Sequence, residues 1–294
     1  MKKSGVLIVS IIVACIWAGL MFFGYGEDEN VTVTDNKNTA TDINGEMLVH
    51  YLDVGQGDSI FIQLPNGENM LIDTGEAEYK EKVENYIRSF GAEDIDYMVL
   101  THPHSDHMGG AWHIIKSFEI EKIFMPDKAS NSSFFEKALD AIEEKGYSPI
   151  VAEAGVSILS EKDLDIQIIS PASEYYESTN NYSAVVKLTY KNNSFLFMGD
   201  AERVAENEIL ENGFDVKADV IKIGHHGSST SSSKKFIKAV SPKIAVISLG
   251  KDNSYGHPHK ETKNLLKKSE IPYYRTDEEG DIVIKSDGEN ISVM

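Results

Sequence analysis

The chain has 294 residues, of which 41% are hydrophobic and 9% aromatic, which is enough to build a sizeable core in one large or two small domains. Its formal net charge is −19, and removal of residues 1–26, which hold two lysines and no acidic residue, moves it from −19 to −21. This excess of acid opposes generic nucleic-acid binding, because such a domain repels the phosphate backbone instead of releasing its counterions.

Residues 1–26 form a separate, strongly apolar segment. Two lysines precede Val6–Phe23, a run of eighteen uncharged residues, and three acidic residues follow it. The pattern predicts an uncleaved single-pass anchor in the cell membrane, with the rest of the chain outside, because the run is longer than the apolar region of a usual signal peptide. The alternatives are a cleaved signal that yields a secreted protein and a lipoprotein acylated at Cys15.

Residues 27–45 are polar and predict a flexible linker, and residues 46–294 are expected to form one folded domain. Cys15 is the only cysteine of the chain. The folded domain can therefore contain neither a disulfide nor a cysteine nucleophile, and its stability must come from packing and metal.

Three strands separated by glycine-containing turns are predicted at the start of this domain: Met47–Leu52, Ser59–Leu64 and Asn69–Ile72. Beyond them, hydrophobic spacing predicts helices near 83–90, 111–118, 134–142, 201–210 and 234–240, and strands near 96–100, 120–125, 150, 156–159, 164–169, 220–223 and 244–249. A hairpin is predicted from 182–190 and 194–198. Hairpins followed by alternating strands and helices, twice over, predict an α/β fold with two sheets stacked between helices, a four-layer sandwich.

The segment Thr101–Gly110 holds three imidazoles and a carboxylate within six residues, namely His102, His104, Asp106 and His107. His102 and His104 are two residues apart, so their side chains point to the same side of an extended backbone. Imidazole and carboxylate suit Zn²⁺, Mn²⁺ or Fe²⁺, and no thiolate is nearby to close the site. The pattern predicts a metal site with room for two ions, and a solvated polar loop is the alternative.

These residues resemble the metallo-β-lactamase superfamily, and within it the branch typified by the soluble domain of the ComEC DNA-uptake proteins. The resemblance runs from Met47 to about Ile284. The superfamily's first aspartate motif is matched by Leu71–Gly75, its His-x-His-x-Asp-His signature by His102–His107, its later aspartate by Asp200 and its last histidine by His225. The branch is marked by Leu52–Asp58, Gly224–Ser228 and Gly256–His259.

The resemblance implies two divalent metal ions, Zn or Mn. One ion is expected at His102, His104 and Asp200, and the other at Asp106, His107, Asp200 and His225. Many superfamily members carry a further histidine ligand ahead of the bridging aspartate, whereas this chain has no histidine between His113 and His225. Asn180–Ser183 takes that place, so the first ion is expected to be bound more weakly.

Further residues near these ligands are expected to orient a ligand, to act in catalysis or to line the site. Asp73 is expected to be a buried acceptor that orients a ligand, although an Asx turn is the alternative. Asp106, His226 and His257 are the candidate catalytic residues. Asp106 would hold or deprotonate the attacking water, whereas His226 faces substrate or core, and His257 faces substrate or is only a surface residue pinned by proline. Asp53, Gln56 and Asp58 lie on a glycine turn that either lines the site or is purely structural.

The predicted chemistry is hydrolysis, because a bound divalent ion lowers the pKa of water toward ~7, supplies hydroxide and polarises the bond that is attacked. The resemblance favours phosphodiesters, with nucleic acid among the candidate substrates, at the outer face of the membrane. Other small molecules, such as lactones, thioesters and β-lactams, are alternative substrates. A non-catalytic metal-binding regulatory domain and iron-dependent redox chemistry are alternative functions. Full-length ComEC proteins also carry a multi-span channel, so this chain alone is not expected to form one.

Overall fold

A computed structural model describes residues 45–294 of the protein. The predicted anchor, residues 1–26, and residues 27–44 of the predicted linker lie outside the described residues. Within residues 45–294, no helix is both long enough and apolar enough to cross a membrane.

The described residues form fifteen strands and eight α-helices. The strands are β1 (Met47–Tyr51), β2 (Ile60–Gln63), β3 (Asn69–Ile72), β4 (Asp94–Val99), β5 (Glu119–Met125), β6 (Ile150–Val151), β7 (Ser157–Ser160), β8 (Leu164–Ser170), β9 (Val185–Tyr190), β10 (Asn193–Phe197), β11 (Val220–Lys222), β12 (Ile244–Ile247), β13 (Tyr273–Arg275), β14 (Ile282–Ser286) and β15 (Ile291–Val293). The helices are α1 (Lys80–Ser89), α2 (Ser105–Met108), α3 (Ala111–Ser117), α4 (Ser133–Lys145), α5 (Arg203–Glu211), α6 (Lys234–Val240), α7 (Lys260–Lys268) and α8 (Thr276–Glu279).

The strands form two mixed sheets. The first has the order β15-β14-β1-β2-β3-β4-β5-β6, and the second has the order β13-β12-β11-β10-β9-β8-β7. In the first sheet β1, β2 and β3 pair antiparallel as the predicted meander, and β4, β5 and β6 continue parallel to β3. In the second sheet β9 and β10 form the predicted hairpin, and β11, β12 and β13 follow in parallel.

The two sheets stack face to face, and helices cover both outer faces. Ile60 and Ile62 of β2 belong to the core between the sheets, whereas the intervening Phe61 packs in the core beneath α1, α3 and α4, as the two-residue period of a strand requires. Leu196 of β10 faces a third core with α5, α6 and α7, while its neighbours Phe195 and Phe197 face the first sheet. The four-layer α/β sandwich predicted from the sequence is therefore confirmed.

Two regions differ from the sequence prediction. The hairpin strand begins at Val185 and not at Tyr182, because residues 179–182 form a 3₁₀ turn. Asn180 of this turn contacts His225, a residue of the site described below, with its side-chain amide. The elements after β12 were not predicted, and among them β14 pairs antiparallel with β1, so the two ends of the domain meet inside the first sheet.

The parallel strands bring several loops to one edge of the sandwich. Thr101–His104 follows β4, Gly199 and Asp200 follow β10, and the 3₁₀ turn Gly224–Gly227 follows β11. Carboxyl ends of neighbouring parallel strands share an edge, which is where open α/β sheets place their sites. This edge carries most of the polar residues singled out in the sequence.

Candidate metal centre

Asp106, His107, Asp200 and His226 form one group of side chains. Asp200 Oδ1 lies 3.3 Å from His107 Nε2 and 3.4 Å from His226 Nε2, and Asp106 Oδ2 lies 3.2 Å from His226 Nε2 and 3.9 Å from His107 Nε2. Ligand atoms held tetrahedrally at about 2.1 Å from a zinc ion stand about 3.4 Å apart. The spacing of this group therefore fits a divalent cation at its centre.

Unpartnered buried atoms support the same conclusion. Among residues 45–294, His107 Nε2, His226 Nε2 and Asp200 Oδ1 are buried and have no hydrogen-bond partner. Such atoms are costly in a folded protein unless an ion or water satisfies them. Because all three belong to the same group, these residues are able to hold a metal ion.

A second group lies on the other side of the same carboxylate. His102 Nε2 is 3.0 Å from His104 Nδ1 and 3.8 Å from Asp200 Oδ2, and these three residues could also hold an ion. Asp200 thus offers Oδ1 to the first group and Oδ2 to the second. Asp200 could therefore contribute a ligand oxygen to an ion held at either group.

The adjacent histidines take places that differ from the sequence prediction. The resemblance assigned His225 to the group of Asp106, His107 and Asp200, but the structure places His226 there. His225 Nε2 lies 3.7 Å from Asp200 Oδ2, on the side of the second group, and its Nδ1 is hydrogen-bonded to Thr230 Oγ1 at 3.1 Å.

Backbone conformation explains the difference. In an extended backbone adjacent side chains point in opposite directions, so one of two neighbouring histidines would reach the metal while the other faced substrate or core. His225 has φ 50° and ψ 49°, and His226 has φ 52° and ψ 26°, so both are in the left-handed region. Non-glycine residues adopt this conformation rarely and at a cost, which functional sites can sustain.

Buried acceptors fix the two rings of the first group. His107 Nδ1 donates to Asp73 Oδ2 at 2.7 Å, and Thr101 donates from its backbone nitrogen and its hydroxyl to the two oxygens of Asp73 at 2.8 and 2.6 Å. His226 Nδ1 donates to the backbone oxygen of Ser248 at 2.9 Å. Each bond holds the proton on Nδ1 and leaves Nε2 facing the group, so Asp73 orients a ring as the sequence suggested.

The charged groups of this centre shift one another's pKa values. Burial lowers the pKa of His226, but the carboxylates of Asp200, Asp106 and Asp58 outweigh burial and raise the pKa to about 10. Burial raises the pKa of Asp200, but His226, His107 and His102 hold the pKa well below its usual range. A cation would take the place of protons on the imidazoles, so metal binding here would release protons.

An ion pair beneath His226 was not predicted from the sequence. Lys222 is fully buried, and its Nζ lies 2.8 Å from Asp58 Oδ2. Asp58 Oδ1 lies 3.4 Å from His226 Nδ1, so Asp58 lies next to the candidate metal centre. The sequence alone does not decide whether this residue lines the site or is purely structural. The available sequence signal was a lysine inside the apolar strand Val220–Ile223, directly before Gly-His-His-Gly.

The stretch that replaces the missing histidine lies at the centre. Ser183 Oγ is 3.3 Å from His102 Nδ1 and accepts a hydrogen bond from the backbone nitrogen of Asp200 at 3.0 Å. Asn180 Nδ2 is 3.4 Å from His225 Nδ1, and Asn180 Oδ1 is buried with no hydrogen-bond partner within residues 45–294. The stretch that takes the place of the missing histidine therefore carries a buried amide oxygen that has no partner within the described residues.

A cleft of about 430 Å³ opens onto both groups. Its lining residues are Gln56, Pro103, His104, Ser105, Asp106, Ser130, Ser132, Phe134, Asn180, Asp200, His225, His226, Tyr255 and His257. His257, predicted to face substrate, lies in this cleft, and burial together with the nearby His226 and His225 lowers its pKa to about 4. A larger cleft of about 750 Å³, near Tyr182 and Phe214, contains none of the candidate ligands.

Gly57 shows why the branch motif needs glycine. A Cβ at Gly57 would lie 2.2 Å from the backbone oxygen of Asp106, and its φ of 146° is one that other residues rarely adopt. The backbone N–H of the next residue, Asp58, donates a hydrogen bond to the same oxygen at 3.0 Å. The glycine turn therefore lies against the backbone of a candidate ligand.

Comparison with known proteins agrees with this geometry. Residues 52–251 match the family model described as the Metallo-beta-lactamase superfamily. ComE operon protein 3 of Bacillus subtilis strain 168 is 33% identical over 257 residues, which cover 82% of this chain and 33% of that protein. Competence protein ComA of Neisseria gonorrhoeae is 28% identical over 266 residues, which cover 90% of this chain and 34% of that protein.

The chain therefore spans about a third of the length of these curated relatives. Among solved structures, Igni18, a metallo hydrolase from the hyperthermophilic archaeon Ignicoccus hospitalis KIN4/I, superposes with a TM-score of 0.52 at 16% identity. The superposition covers 81% of this chain and 98% of Igni18. At this identity the likeness is one of fold.

Proposed function

Because the chain belongs to the metallo-β-lactamase superfamily, we propose that this metallohydrolase cleaves phosphodiesters at the centre built around Asp200. One observation carries the proposal: the two oxygens of Asp200 face two separate groups of ligand atoms. Two divalent ions held by these residues would supply positive charge near both the attacking and the leaving oxygen of a phosphoryl group. The competence proteins among the relatives make nucleic acid a natural candidate for the diester.

We assign Asp106, His107, Asp200 and His226 to one ion and His102, His104 and Asp200 to the other. His226, predicted from the sequence to face substrate or core, is thus proposed as a ligand in place of His225. Divalent ions bound here, Zn or Mn, would activate water and polarise the phosphoryl oxygen. The second group has fewer protein ligands, so its ion is expected to dissociate more readily.

Two side chains are proposed to act on the reactants. Asp106 is partly open to the cleft, and although burial raises its pKa, His107 and His226 hold that pKa below its usual range. It therefore stays ionised and can accept a hydrogen bond from the attacking water. Its lowered pKa keeps His257 neutral at pH 7, and His257 lines the cleft, so its ring can hydrogen-bond a substrate oxygen there.

The phosphodiester proposal is tested with purified protein and a panel of bis-(p-nitrophenyl) phosphate, p-nitrophenyl phosphate, a lactone and a β-lactam. Hydrolysis of the diester is expected to require added Mn²⁺ or Zn²⁺ and to fall below detection in Asp106→Asn, which removes the ionised acceptor. Turnover of only lactones or β-lactams would show that the substrate class is wrong. Bound metal without any turnover would favour the regulatory alternative.

We also propose that residues 1–26 anchor the protein with its domain outside the cell membrane, as the two lysines before the apolar run suggest. Protease added to intact cells is expected to remove the domain, while untreated protein stays with the membrane fraction. A cytoplasmic protein kept intact under the same treatment serves as the control. Full-length protein in the soluble cytoplasmic fraction would contradict this location.

A further inference from the structure

Tyr255 is an exposed aromatic residue at the rim of the metal cleft. Its side chain lines the cleft, yet 64% of the residue is open to solvent. One face of its ring stacks on His257, with 5.6 Å between centroids and 19° between planes. The ring of Tyr255 therefore packs on His257 at the cleft, while much of the residue stays open to solvent.

The loop that carries Tyr255 is tied down by side-chain hydrogen bonds. Asn253 donates to the backbone oxygens of Gly250 and His257 at 3.0 and 2.8 Å, and it accepts from the backbone nitrogen of His257 at 3.0 Å. His259 Nε2 lies 3.3 Å from the backbone oxygen of Tyr255. This network already orders the loop in the free protein. Binding of a ligand to Tyr255 would therefore cost little conformational entropy of the loop.

The rings form a row that leads to the metal centre. His257 is nearly parallel to His226, with centroids 6.3 Å apart and 28° between planes, and His226 Nε2 belongs to the first ligand group. A flat ring stacked on Tyr255 would continue this row outward. Tyr255 also lines the same cleft of about 430 Å³ as Asp106 and Asp200, so a ring packed on it and a phosphate at the ligand groups would share one cleft.

The cleft offers few positive charges that could attract a nucleic acid, so an aromatic contact would matter for its affinity. Among the residues that line the cleft, none is a lysine or arginine, and the chain without residues 1–26 has a net charge of −21. Contacts to further phosphates along a nucleic-acid strand would therefore add little affinity. Base stacking on an aromatic side chain supplies affinity that does not depend on positive charge.

We propose that Tyr255 forms a stacking subsite for a nucleobase next to the scissile phosphodiester. This inference rests on the proposed function, and it names nucleotides as the substrate class of the same site. The shared chemistry is a planar aromatic ring linked to a phosphate, which an aryl ester could also provide, so the test must separate the two.

Equilibrium binding to the metal-loaded full-length protein tests the subsite without relying on turnover. Thymidine 5′-monophosphate, 2-deoxyribose 5-phosphate and phenyl phosphate are the probes. We expect the wild type to bind the nucleotide roughly ten- to a hundredfold more tightly than the sugar phosphate that lacks the base. Tyr255→Ala should remove most of this preference and leave binding of the sugar phosphate within about twofold, whereas Tyr255→Phe should keep it.

Tyr175→Ala is the matched control, because Tyr175 is 74% exposed and does not line the cleft. The proposal would be wrong if Tyr255→Ala lowered the affinity for all three probes equally, or if the wild type bound the nucleotide no more tightly than the sugar phosphate. If Tyr255 increased the affinity for phenyl phosphate but not for the nucleotide, the subsite would bind aryl esters, and its assignment to a nucleobase would be wrong. Nucleotide preference in a protein that hydrolyses no diester would leave the subsite standing while the proposed function failed.

Discussion

Replacement of Asp200 by alanine is expected to abolish phosphodiester hydrolysis and to remove both metal ions together. Asp200 is 2% exposed, with Oδ1 among the nitrogens of His107 and His226 and Oδ2 facing His102 and His225. Because one carboxylate faces both groups, its loss removes the charge and the spacing that two cations would share. His102→Ala should weaken mainly one ion, and excess metal should partly restore its activity.

Metal content by elemental analysis and hydrolysis of bis-(p-nitrophenyl) phosphate measure this effect. Asp140→Ala is the control, because Asp140 is an exposed carboxylate on α4 and should change neither quantity. Circular dichroism establishes that the Asp200→Ala protein is folded. If that folded protein keeps both ions and near-normal activity, the bridging role of Asp200 is wrong.

The neighbouring histidines provide a matched pair in the same measurements. His226→Ala removes a nitrogen that lies 3.2 to 3.4 Å from the oxygens of Asp106 and Asp200, so it should lower metal affinity at least about 100-fold. His225→Ala removes a ring that is hydrogen-bonded to Thr230 and should have a smaller effect. The reverse ranking would favour the ligand set implied by the sequence resemblance.

The first part of this site was accessible from the sequence because it is contiguous. His102, His104, Asp106 and His107 lie within six residues, directly after an apolar strand, and the extended backbone at His104 leads into the short helix α2. Local residue spacing therefore determines where these side chains point. The same reasoning placed the meander and the hairpin, whose strands are neighbours in the chain.

Positions that depend on unusual backbone or distant pairing were less accessible. The choice between His225 and His226 depends on two successive left-handed residues, and residue spacing alone does not reveal this conformation. The pairing of β1 with β14 joins residues more than two hundred positions apart, and no local pattern encodes it. Lys222 and Asp58 likewise meet only because the two sheets stack.

Substitution of Lys222 by methionine is expected to lower the free energy of unfolding by about 3 to 5 kcal/mol, because it leaves the buried carboxylate of Asp58 without its nearest cation. Burial raises the pKa of Asp58, but Lys222 and His226 outweigh burial and hold the pKa below its usual range. Thermal or urea unfolding in the presence of a chelator separates the contribution of the ion pair to the free energy of unfolding from that of bound metal.

Lys243→Met is a matched control. Lys243 Nζ is also 2.8 Å from a carboxylate oxygen, that of Asp219, but the lysine side chain is 73% exposed. Its loss should cost less than about 1 kcal/mol.

The double variant Lys222→Met with Asp58→Asn decides whether the penalty is electrostatic. Neutralising both partners removes the unpaired charge, so most of the stability lost in Lys222→Met should return. A double variant as unstable as Lys222→Met would attribute the loss to packing of the lysine stem instead. Restored stability should still leave metal affinity about 10- to 100-fold below wild type, because the neutral amide no longer supplies the negative charge that lies 3.4 Å from His226 Nδ1.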